Sequence, residues 1–130
     1  MIHGKVLVMI VEDDFTSRTI LANQLHKLGF EIICAEDGRQ AAEIIKYCTP
    51  DCILLDLIMP RMHGHAFLTL LRQNGLNLPV IVMSSIEDQP DLVATIEHIG
   101  IQGWITKPVD LKEIIEKIKE ATNDTKLPDN

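Results

Sequence analysis

The sequence predicts an α/β domain: a doubly wound, five-stranded parallel sheet with helices on both faces. Three observations carry this. Short apolar runs such as Val6 to Val11 and Ile53-Leu54-Leu55 show no polar alternation, as expected of strands buried on both faces. Between them lie stretches whose apolar residues recur at helical spacing. The chain has 130 residues, the length of one domain with room for a real core. Strands and helices that alternate in this way fold most economically as a layered sheet with right-handed crossovers.

The elements follow in order. Lys5 to Val11 is the first strand, stopped by Glu12-Asp13-Asp14. Thr16 or Asp14 caps the first helix, whose apolar positions include Ile20, Leu21, Leu25 and Leu28. Gly29 ends it as a left-handed residue past the C-cap. Phe30 to Ala35 is the second strand, Asp37-Gly38 a turn, and Ala41, Ala42, Ile44 and Ile45 the stripe of a second helix closed by Pro50. Asp51 to Leu55 is the third strand, bounded by Pro50 and Pro60, and Asp56 sits where it gives out into a loop. His65 to Gln73 is the third helix, with Phe67, Leu68, Leu70 and Leu71 inside, and Asn74-Gly75 breaks it. Pro79 to Met83 is the fourth strand, ending in Ser84-Ser85. Leu92, Val93, Ile96 and Ile99 mark the fourth helix, stopped by Gly100. Gly103 to Thr106 is a short fifth strand before Lys107-Pro108. Asp110 caps a last helix with Leu111, Ile114, Ile115 and Ile118 on one face. Residues 1–122 are thus expected to form the domain and 123–130 a polar, frayed tail. The tail is too short for an appended output domain, so the chain is expected to be a stand-alone regulator or one domain of a longer protein.

Composition narrows the function. Nineteen acids against twelve bases give a net charge of −7, which argues against direct nucleic-acid binding. The three cysteines, Cys34, Cys48 and Cys52, have no metal or redox spacing and are expected to be reduced thiols, with Cys48 and Cys52 buried on adjoining elements. No apolar run is long enough for a signal peptide or a membrane span, so a soluble, cytoplasmic protein is expected.

Ligands of open α/β sheets bind outside the carboxyl ends of the strands. There the strand exits deliver Glu12, Asp13 and Asp14, then Asp56, then Ser84 and Ser85, then Lys107. Taken singly, each has an ordinary explanation: a solvated turn with a helix cap, an Asx-turn, a turn before proline. Together they suit a phosphoryl group. Clustered carboxylates repel, and a hard cation such as Mg²⁺ relieves them. A lysine and a hydroxyl then stabilise phosphoryl oxygens, and a carboxylate can itself be the nucleophile.

These residues carry a resemblance. Val-Glu-Asp-Asp at 11 to 14 with Arg18 following, Asp56-Leu-Ile-Met-Pro60 with Gly64, Val82-Met-Ser-Ser85 and Thr106-Lys-Pro108 together resemble the response-regulator receiver domain, over about residues 4 to 122. The resemblance implies a flavodoxin-like strand order, 2-1-3-4-5. It makes Asp56 the phosphoacceptor and Glu12 and Asp13 the acidic pair that holds Mg²⁺, with Asp13 ahead of Glu12 as direct ligand. Asp56 and the backbone carbonyl of Ile58 complete the metal set. Ser84 would bond the phosphoryl group and Lys107 would pair with it, across a cis bond to Pro108 that aims the lysine inward. The donor would be a histidine kinase or a histidine phosphotransfer protein. The output would be a changed surface on the fourth helix, fifth strand and fifth helix for an unknown partner, with phosphorylation-dependent dimerisation as one form of it.

The sequence departs from the family at His63, where an Asp is usual, and at Trp104, where Tyr or Phe is common. Trp104 needs more room to swing inward, so its inward state is expected to be less populated. Ile58 and Ile86, two residues past Asp56 and Ser84, should flank the path of an attacking water. Neither can orient that water, so slow loss of the phosphoryl group is expected.

Rival functions fare worse. An aspartyl-nucleophile phosphatase would usually carry a second acid where Ile58 stands, so an enzyme acting on external substrates is not expected. A receiver-like interaction module working without phosphorylation is the alternative; it would be expected to have lost Asp56 or Lys107. A nucleotide-binding domain would need a glycine-rich loop after the first strand.

Overall fold

The computed structural model describes residues 5–57, 64–85 and 90–122. Five strands alternate with five helices: β1 (Leu7–Val11), α1 (Phe15–Lys27), β2 (Glu31–Ala35), α2 (Gly38–Ile45), β3 (Cys52–Asp56), α3 (Gly64–Gln73), β4 (Val80–Ser84), α4 (Pro90–Ile99), β5 (Gly103–Thr106) and α5 (Leu111–Thr122). The strands form one sheet in the order β2-β1-β3-β4-β5, and every pairing is parallel. The doubly wound fold with order 2-1-3-4-5 is therefore the one expected.

The unbroken apolar runs have a direct explanation. Side chains alternate across the sheet, and both faces are covered. Met9, Val11, Ile53, Leu55 and Val82 pack with Phe67 and Leu68 of α3 and Ile96 of α4. Their neighbours Val8, Ile10, Leu54, Ile81 and Met83 pack with Leu21 and Leu25 of α1 and Ile114 and Ile118 of α5. With β1, β3 and β4 inside the sheet, no position on either face is free for a polar residue until the strands end.

Helix ends follow the capping residues. Asp14, not Thr16, caps α1, its carboxylate accepting from the Ser17 amide at 2.7 Å. Gly29 follows the C-cap with φ of 102°, and Gly100 follows α4 with φ of 112°, conformations that favour glycine. The helix α2 stops at Ile45, several residues before Pro50.

Three expectations need correction. Ile20 and Leu28 are each 53% exposed. Leu21 and Leu25, one helical turn apart, already fill the sheet side of α1; Ile20 lies a helical step away, and Leu28 is the C-cap. Of the cysteines only Cys52 is buried, while Cys34 is exposed and Cys48 half-buried. Cys34 lies on β2, an edge strand, and Cys48 in the loop after α2. The Cys52 thiol is pushed up to about 12, chiefly by burial and then by Asp51, so it is inert as a nucleophile.

Arg72 ties the far end of the helical layer together. Its guanidinium donates to the carbonyls of Leu76 at 2.8 Å, Leu78 at 3.0 Å and Gly100 at 2.9 Å. These carbonyls belong to the α3–β4 loop and the end of α4. Removing a charged donor leaves them to find water, so Arg72→Ala is expected to cost about 2 kcal/mol, read as a lower urea midpoint at unchanged m-value.

Candidate phosphoryl-acceptor site

The strands run one residue further than their apolar stretches. Asp56 is the last residue of β3, paired in register with Met83, and Ser84 is the last of β4, paired with Thr106. Lys107 follows β5 directly, and its amide donates to the Ser84 carbonyl at 3.0 Å. The Glu12 amide continues β1 by donating to the Ala35 carbonyl at 3.1 Å. The parallel ladder thus sets the backbone of the site residues before their side chains meet anything.

Alternation then assigns sides. Glu12 follows the parity of Ile10, and Asp56 that of Leu54, which puts both on the α1 and α5 side of the sheet. Both are buried. Asp13 is exposed beside them, and carboxylate oxygens of Glu12, Asp13 and Asp56 lie within 4.8 Å of one another. Lys107 answers this charge. Its ammonium is 3.2 Å from Glu12 Oε1 and 3.4 Å from Asp56 Oδ1, and its bond to Pro108 is cis. Burial pulls the Lys107 pKa down, but the Asp56 and Glu12 carboxylates outweigh it and hold it above the ordinary lysine value. A second Glu12 oxygen accepts from the Asp14 amide at 3.2 Å.

The donor set fits Mg²⁺. It consists of hard carboxylate oxygens, few in number, at the rim of the protein where water can complete the coordination. Glu12, Asp13 and Asp56 are the residues that could hold the ion. The carbonyl of Ile58, expected to join them, lies outside the described residues, as do His63 and Ile86.

Ser84 follows the parity of Val82, on the α3 and α4 side, and is buried at the end of β4. Trp104 stands opposite Val82 on β5, half-buried at the margin of that core. With Val93, Glu97 and Thr106 it borders an open depression of about 260 Å³. Asp14 serves as the N-cap of α1. The Ser17 amide bond holds its carboxyl below the usual range.

Arg18 is the site residue whose role sequence did not show. It was visible only as the basic residue that follows the acids. Its guanidinium donates to the Glu12 carbonyl at 2.7 Å and reaches the Asp13 carbonyl at 3.5 Å.

A five-stranded parallel 2-1-3-4-5 sheet with acids, a hydroxyl and a lysine at its carboxyl edge has the flavodoxin-like architecture of receiver domains. The profile of the response regulator receiver domain matches residues 8–119, and the chain belongs to that family. It is 31% identical over 125 residues to response regulator MprA of Mycobacterium ulcerans, covering 96% of this chain and 53% of that protein. It is 34% identical over 112 residues to the Regulator of RpoS of Escherichia coli, covering 85% of this chain and 33% of that one. The chain thus spans about half the length, or less, of such curated relatives. Among solved structures it resembles the receiver domain of Francisella response regulator 1452, with TM-score 0.86 and 25% identity over 94% of this chain and all of that one. A receiver domain of a histidine kinase from Syntrophus aciditrophicus superposes with TM-score 0.84 at 28% identity, covering 96% of each chain. Among the described residues no helix is long and apolar enough to cross a membrane.

Proposed function

We propose that this domain is a phosphorylation switch that accepts a phosphoryl group on Asp56 from a histidine kinase or a histidine phosphotransfer protein. One observation carries the reading: a buried carboxylate at a strand end shares a lysine with a second buried acid, 3.4 and 3.2 Å away, while a third acid stands within metal-bridging distance. An Asp56 oxygen attacks phosphorus, and the P–N bond to the donor imidazole breaks. The electron pair stays on the imidazole nitrogen, which takes a proton from solvent. Mg²⁺ held by Glu12, Asp13 and Asp56 would offset the charge on the phosphoryl oxygens. Lys107 stabilises the same oxygens by leaving its contact with Asp56 for them. An open cavity of about 370 Å³, bordered by α1, Lys107, Pro108 and Val109, gives the donor a place to approach, with exposed Ile20 as an apolar contact.

The added charge draws the Ser84 hydroxyl, and Trp104, on the same side of the sheet, then has space to move. Helix α4, β5 and α5 present the altered surface to a partner or to a second copy. This is a local charge event biasing a two-state element. The domain works in the cytoplasm, without direct contact with nucleic acid or membrane.

The test is to add Mg²⁺ and then acetyl phosphate, following intact mass and Trp104 fluorescence. A gain of one phosphoryl group with a fluorescence change is expected. Mg²⁺ binding with no mass gain would make the chain an interaction module that works without phosphate. The isoleucines at 58 and 86 give a second expectation, a long-lived phosphoryl group. Ile58→Asn with Ile86→Glu is expected to speed its loss about tenfold by supplying groups that orient water, measured by mass after donor removal. Unchanged decay would remove the role given to these two positions.

A further inference from the structure

Arginine beside three acids would ordinarily form a forked ion pair with a carboxylate. Arg18 does not. Its hydrogen bonds go to the backbone carbonyls of Glu12 and Asp13, at 2.7 and 3.5 Å, while the Glu12 carboxylate is used by Lys107 and the Asp14 amide. The guanidinium also stacks over Phe15, 5.5 Å from the ring centroid. A cation in the first turn of a helix opposes the helix dipole, so the placement is not explained by helix stability.

The geometry has a consequence for the acids. Arg18 sits on the first turn of α1 and its own amide donates to the Asp14 carbonyl at 2.9 Å, so the side chain folds back over the loop it follows. Holding the two carbonyls fixes the peptide planes on either side of Asp13. Those planes set where the side chains of Glu12 and Asp13 leave the backbone. Mutual repulsion would otherwise splay carboxylates that lie within 4.8 Å of each other and of Asp56.

We propose that Arg18 is a positioning residue: it clamps the Glu12-Asp13 backbone so that the acids converge as a preformed Mg²⁺ site, without occupying any of their oxygens. This rests on reading the acid cluster as the metal site of a phosphoryl-acceptor domain. Outer partners that orient metal ligands are worth about 10- to 100-fold in affinity.

The experiment is calorimetric titration of the full chain with MgCl₂, for the wild type, Arg18→Ala and Arg18→Lys. Arg18→Ala is expected to weaken Mg²⁺ binding about tenfold, and Arg18→Lys, which keeps one donor, to recover part of that. Phosphorylation by acetyl phosphate at saturating Mg²⁺ should stay within about threefold of wild type, because positioning is lost and no transition-state contact is. In metal-free protein, amide exchange at Asp13 and Asp14 should quicken in Arg18→Ala. An unchanged Mg²⁺ affinity in Arg18→Ala overturns the clamp. So does a phosphorylation rate that falls as far at saturating as at limiting Mg²⁺, which would put Arg18 on the phosphoryl group itself. Should Arg18→Ala not fold, Arg18→Lys decides: wild-type affinity overturns the clamp, weakened affinity supports it. A wild type that binds no Mg²⁺ overturns the parent reading along with this one.

Discussion

Asp56→Asn is expected to abolish the mass gain on exposure to Mg²⁺ and a small phosphodonor. The substitution keeps shape and volume and removes only the nucleophilic charge, since an amide oxygen is a far poorer nucleophile than a carboxylate. Glu12, Asp13 and Asp14 are the nearby acids that could substitute; Glu12 is buried, with its second oxygen held by the Asp14 amide. Asp14 is committed to the Ser17 amide, and among the described residues the Lys107 ammonium pairs with Glu12 and Asp56, not with Asp13 or Asp14. Any residual labelling should therefore be at least about 100-fold slower, the scale of losing an aimed cation. Intact mass reads the gain, and peptide mapping reads its position. A full gain retained in Asp56→Asn would move the acceptor elsewhere and sink the assignment. Asp56→Asn should also weaken Mg²⁺ binding, because one of three carboxylates is gone, whereas Arg18→Ala weakens it with all three present.

Much of this site was legible in the sequence because the fold is. Strands buried on both faces leave no doubt where they run, and the first polar residue after each marks the carboxyl edge. Ser84 and Asp56 were placed just beyond their strands, whereas each closes its strand, because pairing with Thr106 and Met83 carries the ladder one residue past the apolar run. What stayed hidden depends on three-dimensional neighbours. The exposure of Cys34 follows from the edge position of β2, which no apolar count reveals. Ile20 looked like core because a helix stripe is wide on paper, yet Leu21 and Leu25 already meet the sheet. Arg18 was visible as a motif residue, but a bond to backbone carbonyls leaves no mark on side-chain identity. Lys107 was the reverse case, since its place at the carboxyl edge was legible and only its distances to two acids were missing.

Those distances lead to the other large effect. Lys107→Met keeps the aliphatic stem and removes the ammonium that stands between Glu12 and Asp56. Two buried carboxylates are then left without their cation. Loss of one partner from a fully buried pair costs several kcal/mol, but the Lys107 side chain is 32% exposed, so screening reduces the expected cost to about 1–2 kcal/mol. The sign of the pH dependence follows from the raised pKa. A lysine whose folded pKa lies above its ordinary 10.5 stabilises fully below that value and loses its contribution as pH rises through the folded pKa. Wild type and Lys107→Met should therefore differ by a constant amount through the neutral and mildly alkaline range and converge only above it. Mg²⁺ should do for the variant what the ammonium did, so its melting temperature should gain more from Mg²⁺ than that of wild type. Phosphorylation should not be rescued with it. An ion between the acids restores their charge balance, but the phosphoryl oxygens still lack the aimed ammonium, and the rate should remain about 100-fold down at saturating Mg²⁺. Stability and rate recovering together would mean that Lys107 serves only to neutralise the acids and takes no part in phosphoryl transfer.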